Sequence, residues 1–362
     1  MNTFGQRIRI TIYGESHGAS IGAVLDGLPA GEVIDWDGVQ LEMARRAPGR
    51  NAMSTARAEA DAFTIQSGFF NGRTTGTPLC AVIANGDHHS KDYEQLRHIM
   101  RPGHADYSGK VRYGGYNDYR GGGHFSGRLT APLVFAGAIA SQILARHGVT
   151  IGSHILQVED VCDNRFATAG ETVSCLHALK SMTLPVLDAD KAVLMEQAIL
   201  RAKNNGDSVG GSIECMATGL PAGLGDPFFD SVESQLSHMM FSVPAVKGIE
   251  FGDGFAFAGM RGSQANDSFY YAGNAVKTKT NHNGGINGGI TNGMPILFRV
   301  AVKPTPSISQ VQDTIDTDTE ENCKLEIKGR HDPCIVQRAV PVIEAAAAWT
   351  LLDVWLATPQ GK

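Results

Sequence analysis

The chain has 362 residues, of which 42% are hydrophobic, and this is enough to bury a large core. The formal net charge of −6 at pH 7 argues against general nucleic-acid binding, which usually requires a basic surface. The six cysteines include no CxxC pair, a pattern typical of reduced thiols in a cytoplasmic protein rather than of a disulfide framework or a zinc site.

The N-terminal segment MNTFGQRIRI lacks the apolar region of a signal peptide. The longest uncharged stretch, APLVFAGAIASQILA, is interpreted as too short and too polar to cross a membrane, so a buried helix is expected there. Length alone suggests about two domains, although single domains of this size exist. No linker or repeat is visible, and we expect one compact domain over residues 1–362 with long functional loops.

Short runs that are β-branched or alternating, bounded by Gly, Asp or Pro, predict the strands. These runs lie at 7–13, 63–69, 79–84, 149–158, 211–217, 247–251 and 295–302. Helical patterns lie at 37–47, 92–99, 130–147, 189–203, 229–240 and 335–357. Helix 130–147 has Pro132 in its first turn and Gly148 past its end, and Asp188 can cap helix 189–203. Helix 335–357 is apolar on most faces, so it should be buried or lie at a subunit contact.

The order of these elements favours an α+β fold in layers, because the strands and helices do not alternate strictly. No GxGxxG motif follows a strand and no P-loop is present, so dinucleotide-binding and P-loop folds lack their fingerprints. The 43 glycines are well above average usage and are not periodic. Many backbone positions must therefore need a positive φ or a close approach.

The segment GESHG, residues 14–18, follows the first strand. It places a carboxylate, a hydroxyl and an imidazole (Glu15, Ser16 and His17) between two glycines on a tight loop. Such groups can transfer protons, and they can also simply cap turns.

The segment 101–130, RPGHADYSGKVRYGGYNDYRGGGHFSGRLT, is long, glycine-rich and basic. It carries four arginines and two histidines: Arg101, Arg112, Arg120, Arg128, His104 and His124. Arginine forks and exposed backbone N–H groups suit a phosphorylated ligand, and the aromatic residues argue against disorder. The alternative is a solvated loop with incidental arginines. A second basic segment, ARRAPGRNAMSTAR at 44–57, has four arginines and no acid, which indicates an anion-attracting patch or a solubilising surface.

Three further segments have less specific patterns. The stretch NHNGGINGGITNGMP at 281–295 can approach a flat ligand or a phosphate, and KPTPS at 303–307 is a constrained turn with a cation and hydroxyls. In GRHDPC at 329–334, Asp332 before Pro333 can equally be a helix N-cap. The segment NGDHHSKD at 85–92 resembles a metal site, but no ligand spacing supports one. We interpret it as a polar surface loop and expect no metal.

In this order, the segments closely resemble the chorismate synthase family. The resemblance is carried by FGQRIRITIYGESHG, RPGHADY, DYRGGG, NGDSVGG, VPAVKGIEFGDGF, KPTPS and KGRHDPC, which together span almost the whole chain. It implies a layered β–α–β sandwich, usually assembled as a homotetramer.

The resemblance also implies a lyase of the shikimate pathway. Such an enzyme converts 5-enolpyruvylshikimate 3-phosphate to chorismate and phosphate by a 1,4-anti elimination, and it requires reduced FMN without net redox change. Substrate and cofactor together present two phosphates and two carboxylates, which explains arginine clusters in an acidic protein. We expect a small phosphorylated substrate, no nucleic acid or membrane partner, and an external flavin reductase.

Site roles follow from the same resemblance. His17 resembles the histidine that protonates the leaving phosphate, and His104 the one beside the flavin. Asp332 resembles the carboxylate that removes the proton together with flavin N5. Ser16 and Ser126 resemble supporting hydroxyls. The substrate clamp would be Arg46, Arg101, Arg128 and Arg330. Flavin contacts would come from His124, Phe125, Ser126, Ala245, Gly288, Lys303, Pro304, Thr305, Pro306, Ser307 and Arg330.

The chain departs from the family pattern in the stretch after Arg46, which includes Arg50, and in one further motif. Where many members read RSSARET, this chain reads HFSGRLT, which retains Ser126 and Arg128 but has His124, Phe125 and Leu129 in place of Arg, Ser and Glu.

Two alternatives to this function remain open. One is a bifunctional enzyme that also reduces its flavin with NADPH, although no dinucleotide fingerprint is visible. The other is a binding protein for anionic metabolites, which would need neither His17 nor Asp332.

Overall fold

The computed structural model describes residues 1–49, 53, 61–86, 96–327 and 332–358. In these ranges the α-helices are α1 (Trp36–Arg46), α2 (Asp106–Arg112), α3 (Thr130–Arg146), α4 (Val173–Ser181), α5 (Ala189–Asn204), α6 (Val232–Ser242), α7 (Gly262–Ala265) and α8 (Val336–Ala357). The strands of the first half are β1 (Thr3–Phe4), β2 (Arg9–Gly14), β3 (Ser20–Asp26), β4 (Phe63–Ser67), β5 (Phe69–Phe70), β6 (Arg73–Thr74), β7 (Leu79–Ala84), β8 (Thr150–Val158) and β9 (Val161–Cys162). Those of the second half are β10 (Gly211–Thr218), β11 (Val246–Phe251), β12 (Phe269–Ala272), β13 (Ala275–Thr278), β14 (Ile286–Asn287), β15 (Ile290–Thr291), β16 (Ile296–Val302), β17 (Gln312–Asp316) and β18 (Glu321–Leu325).

Two five-stranded sheets form the outer layers. The first has the strand order β1-β2-β3-β7-β4 and the second β11-β16-β10-β8-β9. The described pairings in both sheets are antiparallel, with Ile12 opposite Ala23 in the first sheet and Cys215 opposite Phe298 in the second. Each sheet turns an apolar face inward, as antiparallel sheets commonly do.

Helices α3 and α8 form the middle layer. They pack against each other, α3 contacts β2 and β3 of the first sheet, and α8 contacts β8 and β10 of the second. The approach of the two helices is so close that a Cβ on Gly137 of α3 would overlap Ala345 of α8. Trp349 of α8 is fully buried in this layer. The predicted α+β layered sandwich is therefore confirmed, and the apolar helix predicted at 335–357 lies in the core.

Both central helices also meet the length and hydropathy of a membrane span. The helical stretches are Gly127–Arg146 and Val336–Ala357, and 83% of an 18-residue apolar window in each is buried inside the protein. The prediction that the first segment is too short and too polar to span a membrane was wrong by composition. Burial between the sheets, rather than polarity, accounts for its apolar character.

Several element boundaries differ from the sequence prediction. The helix predicted at 92–99 falls partly outside the described residues, and 96–99 is not α-helical, because Ile99 forms a bridge with Asp316. Helix α6 begins at Val232 rather than 229, because the Ser231 hydroxyl accepts the Ser234 N–H at 3.0 Å. Asp188 caps α5 as predicted, accepting the Asp190 N–H.

Candidate active site

The loop that carries GESHG joins β2 to β3 and is attached to the glycine turn at 121–123. The Ser16 N–H donates to the Gly123 carbonyl at 3.1 Å, and the Ser16 hydroxyl lies 3.2 Å from the Gly121 carbonyl. The same hydroxyl lies 3.3 Å from His17 Nδ1. His17 is only 4% exposed. The tight loop therefore holds a buried imidazole against a second loop that is more than 100 residues away in the chain.

The turn at Gly121, Gly122 and Gly123 is the point where the two candidate histidines meet. All three glycines have positive φ angles, of 59°, 89° and 52°. A Cβ on Gly121 would overlap the His17 ring, and one on Gly122 would lie 3.3 Å from His104 Nε2. Only glycine combines this backbone conformation with the space that the two rings need. The turn, called the glycine cradle below, is thus in close contact with both imidazoles.

The segment RPGHAD forms a compact charged cluster around His104. Asp106 accepts hydrogen bonds from Arg101 Nε and Nη2, both at 2.7 Å, and lies 2.7 Å from His104 Nδ1. Burial raises the pKa of Asp106, but the hydrogen bonds from Arg101 and His104 outweigh it and hold the pKa well below its usual range. Asp106 is therefore ionised, and Arg101, which was predicted to clamp substrate, donates to this carboxylate.

The KPTPS turn packs onto the same segment. Lys303 Nζ donates to the Gly103 carbonyl, and the Lys303 N–H donates to the Ala245 carbonyl at 2.9 Å. Ala245 has a φ of 73°, which is unusual for a residue with a side chain. Burial, together with the charge of Lys247, lowers the pKa of Lys303. Four of the predicted flavin-contact positions adjoin Lys303 in this turn: Pro304, Thr305, Pro306 and Ser307.

The segment 205–211 connects this turn to Asp332. The Ser208 hydroxyl donates to the Thr305 carbonyl at 2.7 Å, and the Val209 N–H donates to the Pro333 carbonyl at 2.8 Å. The motif NGDSVGG thus has a structural function, which is to join two of the candidate segments.

Asp332 does not cap α8, which is one of the two roles left open for it. The helix begins at Val336, and its N-cap residue Ile335 provides no side-chain hydrogen bond. Asp332 instead accepts a hydrogen bond from Arg338 Nη1 at 2.5 Å, while Arg338 Nε donates to the Arg46 carbonyl at 3.1 Å. Arg338 thereby holds the Asp332 carboxylate near Arg46. We refer to Arg46, Arg128 and Arg338 as the arginine cluster.

Arg46 and Arg128 are brought together by Asp61. Arg46 donates to Asp61 Oδ2 from Nε at 2.9 Å and from Nη2 at 2.5 Å, and Arg128 Nη1 donates to Asp61 Oδ1. Burial, together with the charges of Arg338 and Arg128, lowers the pKa of Arg46 even though Asp61 opposes the change. Within the described residues of this cluster, guanidinium groups outnumber carboxylates by three to two, which suits an anionic ligand.

Asn85 links the arginine cluster to the GESHG loop. Its side-chain amide donates to the Glu15 and Gly18 carbonyls at 3.0 and 2.9 Å, and its oxygen accepts from Arg128 Nε at 3.2 Å. Of the segment 85–92, which was interpreted as a polar surface loop, Asn85 is half-buried and Gly86 exposed, while 87–92 lie outside the described residues. The amide orients both sides of the candidate site.

The altered motif HFSGRLT lies immediately after the glycine turn. His124 Nδ1 lies 2.8 Å from the Gly14 carbonyl, and Phe125 packs against Gly109 and Tyr113 of the α2 region. The Ser126 hydroxyl accepts the Arg128 N–H at 3.3 Å, which starts a short 3₁₀ turn. His124 and Phe125 therefore stabilise the loop, whatever they contribute to ligand binding.

One predicted position in the described residues, Gly288, is not drawn into this arrangement. Gly288 lies in the turn between β14 and β15, where Gly289 accepts the Val232 N–H at 3.0 Å, so the described contacts of this turn run to α6. Arg330 lies outside the described residues, as does Arg50 of the basic segment.

Comparison with known proteins agrees with this geometry. The chorismate synthase family model matches residues 8–356. The chorismate synthase of Dehalococcoides mccartyi is 46% identical over 98% of this chain and 96% of its own length. That of Methanothermobacter thermautotrophicus is 45% identical over 97% of this chain and 93% of its own. The chain belongs to the chorismate synthase family.

A solved chorismate synthase structure has the same fold. It superposes with a TM-score of 0.77 at 28% identity and covers 98% of this chain and 93% of its own. Membership in the chorismate synthase family makes the chain a carbon–oxygen lyase of the shikimate pathway, the route to the aromatic amino acids.

Sequence reasoning missed four residues of this candidate site: Asp61, Asn85, Asp106 and Arg338. Asp106 stands in the RPGHADY motif and could have been noticed. Arg338 is an isolated cation in an apolar helix, which is a signal of a buried partner. Asp61 and Asn85 have no local signal, because their partners lie far away in the chain.

Proposed function

We propose that this chain catalyses the 1,4-anti elimination of phosphate from 5-enolpyruvylshikimate 3-phosphate to give chorismate, with reduced FMN as its cofactor. The observation that carries the proposal is the position of His17 and His104 on either side of the Gly121–Gly122 turn. A general acid must reach the leaving phosphate while a second group adjoins the cofactor, and this turn brings both imidazoles against one short stretch of backbone.

The residues present fit a flat, anionic cofactor. The glycine turn brings backbone, without side chains, against His17 and His104, and the adjoining KPTPS turn supplies the cation Lys303. Lys303 together with His104 and the 124–126 segment would hold the flavin. When bound, reduced flavin supplies the electron density that lets a phosphate leave and a non-acidic C–H bond break.

The protein groups manage the charges and the protons. His17 donates a proton to the departing phosphate oxygen, so that the leaving group departs as a weaker base. Asp332, held by Arg338, accepts the proton lost from the ring carbon. Arg46 and Arg128 bind the substrate anions, because guanidinium groups form charge-assisted hydrogen bonds to phosphate and carboxylate.

The test is an anaerobic assay with dithionite-reduced FMN in which chorismate and phosphate are measured together. We expect equal amounts of both products and no turnover without flavin. His17→Ala should lower the rate by about 10² to 10⁴-fold, the contribution of a positioned general acid, whereas His177→Ala, at an exposed position outside the site, should not. Substrate binding without phosphate release would indicate an anion-binding protein instead.

Two further arms address the cofactor. Oxidised FMN with NADPH should give no turnover, because the flavin is expected to be reduced by a separate reductase. Turnover in this arm would indicate the bifunctional form. Oxidised FMN should also bind more tightly with substrate present, because the substrate anions complete the arginine cluster, and calorimetry with and without substrate measures the difference.

We further propose a cytoplasmic homotetramer. Support comes from exposed aromatic side chains at Phe228, Phe229, Phe255 and Tyr271, because large exposed apolar groups commonly mark subunit contacts. All six cysteines are free thiols in the structure, which agrees with a reducing compartment. Light scattering should give about four times the 38.5 kDa chain mass. A monomer would exclude the tetramer.

A further inference from the structure

The carboxylate of Asp106 lies between Arg101 and His104 and contacts both. It lies 2.7 Å from His104 Nδ1, and its side chain is only 7% exposed. Arg101 is similarly buried, while His104 is 17% exposed. The three side chains and their turn form one rigid unit, because the Arg101 N–H also donates to Asp106 Oδ2 at 3.1 Å and the His104 N–H donates to the Arg101 carbonyl at 3.2 Å.

The hydrogen-bond geometry determines where the imidazole proton lies. Arg101 Nη2 lies 3.1 Å from His104 Nδ1, so two assignments compete: Nδ1 accepts from Arg101, or Nδ1 donates to Asp106. Nη2 already has an acceptor in Asp106 Oδ1 at 2.7 Å. An ionised carboxylate has no proton to donate, so a 2.7 Å contact with Nδ1 requires the proton to lie on Nδ1.

The opposite edge of the ring faces the glycine cradle. His104 Nε2 lies 3.3 Å from the position that a Cβ on Gly122 would occupy. With the proton on Nδ1, the neutral ring presents the Nε2 lone pair on this side. The charged groups that contact the ring in the described structure are Arg101 and Asp106 on its own segment, and Lys303 of the KPTPS turn reaches the neighbouring Gly103 carbonyl.

We propose that Asp106 is a positioning residue that holds His104 in the Nδ1–H tautomer and directs Nε2 toward the cradle. His104 Nε2 is then the atom that exchanges a proton with the ligand. Arg101 acts by compensating and orienting the carboxylate rather than by clamping substrate. The catalytic part of this inference rests on the proposed function, whereas the tautomer does not.

The variant Asp106→Asn makes a specific prediction about this tautomer. The amide oxygen should occupy the Oδ2 position, because two Arg101 donors converge there. The amide nitrogen then faces His104 Nδ1 and donates to it, so the imidazole proton must move to Nε2. The ring remains in place but presents a donor instead of a lone pair.

The experiment measures ¹⁵N solid-state NMR spectra of histidine-labelled, flavin-free protein at a pH where the ring is neutral. The His104 signal is assigned by its absence in His104→Gln, among the 12 histidines of the chain. We expect Nδ1–H in the wild type and Nε2–H in Asp106→Asn. The matched control is Asp316→Asn, which alters another His–Asp pair, His98–Asp316 at 3.0 Å, and should leave His104 unchanged.

Kinetics of the flavin-loaded enzyme provide the second readout. Asp106→Asn should lower kcat by about 10² to 10⁴-fold, with substrate KM changed by less than about threefold, since Arg101 is not a clamp. The inference would be overturned if the His104 proton lay on Nε2 in the wild type. It would also be overturned if the proton stayed on Nδ1 in Asp106→Asn. The wild-type spectrum decides even if the variant does not fold. Absence of elimination in the wild type would instead overturn the proposed function and leave the tautomer result standing.

Discussion

The backbone of Gly121 lies so close to the His17 ring that a Cβ at this position would overlap it. We expect Gly121→Ala to lower the elimination rate by at least about 10²-fold, the lower range for loss of a general acid, because the buried ring must move. Gly148→Ala is the matched control, since its φ of 81° imposes the same backbone strain with no heavy atom within 4 Å of the new Cβ. Equal rates for both variants would show that the His17 position is not critical.

The buried carboxylate of Asp61 compensates two buried guanidinium groups. Asp61→Asn removes this compensation from Arg46 and Arg128, so the free energy of unfolding should fall by about 3–5 kcal/mol, the usual cost of breaking a buried ion pair. Urea unfolding at matched chain concentration measures the change. Glu32→Gln, which breaks the exposed pair with Arg146, should cost less than about 1 kcal/mol. If both variants lost a similar free energy of unfolding, burial would not be what makes the Asp61 pairs important for stability.

Arg338 should act on the reaction through Asp332. Removal of a charge-assisted hydrogen bond costs about 1.5–3 kcal/mol, so Arg338→Gln should lower kcat by roughly tenfold to a hundredfold. In an Asp332→Asn background the same change should have little further effect, because the partner is already lost. Single-turnover chorismate formation in this double-mutant cycle tests the coupling. Additive losses would mean that Arg338 acts independently.

A buried histidine outside the site should make stability depend on pH. His154 lies 3.0 Å from Asp163 and 3.1 Å from Glu214, and it is fully buried. Burial lowers its pKa, but the hydrogen bonds to both carboxylates outweigh this effect and raise it above 6.5. Because the folded-state pKa is raised, the stabilisation is fully present below about pH 6.5 and is lost as the pH rises through the folded-state pKa.

The comparison of wild type with His154→Gln tests the direction of this pH dependence. Their difference in unfolding free energy should be largest at about pH 6 and should shrink toward alkaline pH. His177→Gln, at an exposed position, should show no such trend. A difference that grew with pH would mean that His154 is neutral in the folded protein.

Much of the candidate site was accessible from motifs, because each motif is local. GESHG, RPGHAD and DYRGGG each place proton-transfer groups or glycines within a few residues, and the structure brings all three together. Their relative positions were not accessible. The contact of His17 with Gly121 joins residues 104 positions apart in the chain, and nothing in either motif specifies it.

The sequence by itself determined the layers and the central helices. Asp188 acts through a hydrogen bond to a backbone N–H two residues away, and the apolar runs of α3 and α8 reflect burial on most faces. The sequence-based prediction did not identify β3 or the hairpin β17–β18. β3 contains Gly22 and Ala23 at its centre, and the hairpin is largely exposed, so neither has a strong strand pattern.

Only the tertiary structure decided which charges meet. Asp61 joins Arg46 to Arg128, and Asp332 pairs with Arg338 rather than with the helix terminus. A charged side chain is tolerated in the protein interior only beside a partner of opposite charge. The sequence identifies the charged residues but does not show which of them pair in the fold. Pairing is set by how the sheets and helices pack, because an ion pair acts over a few ångströms in space whatever the separation along the chain.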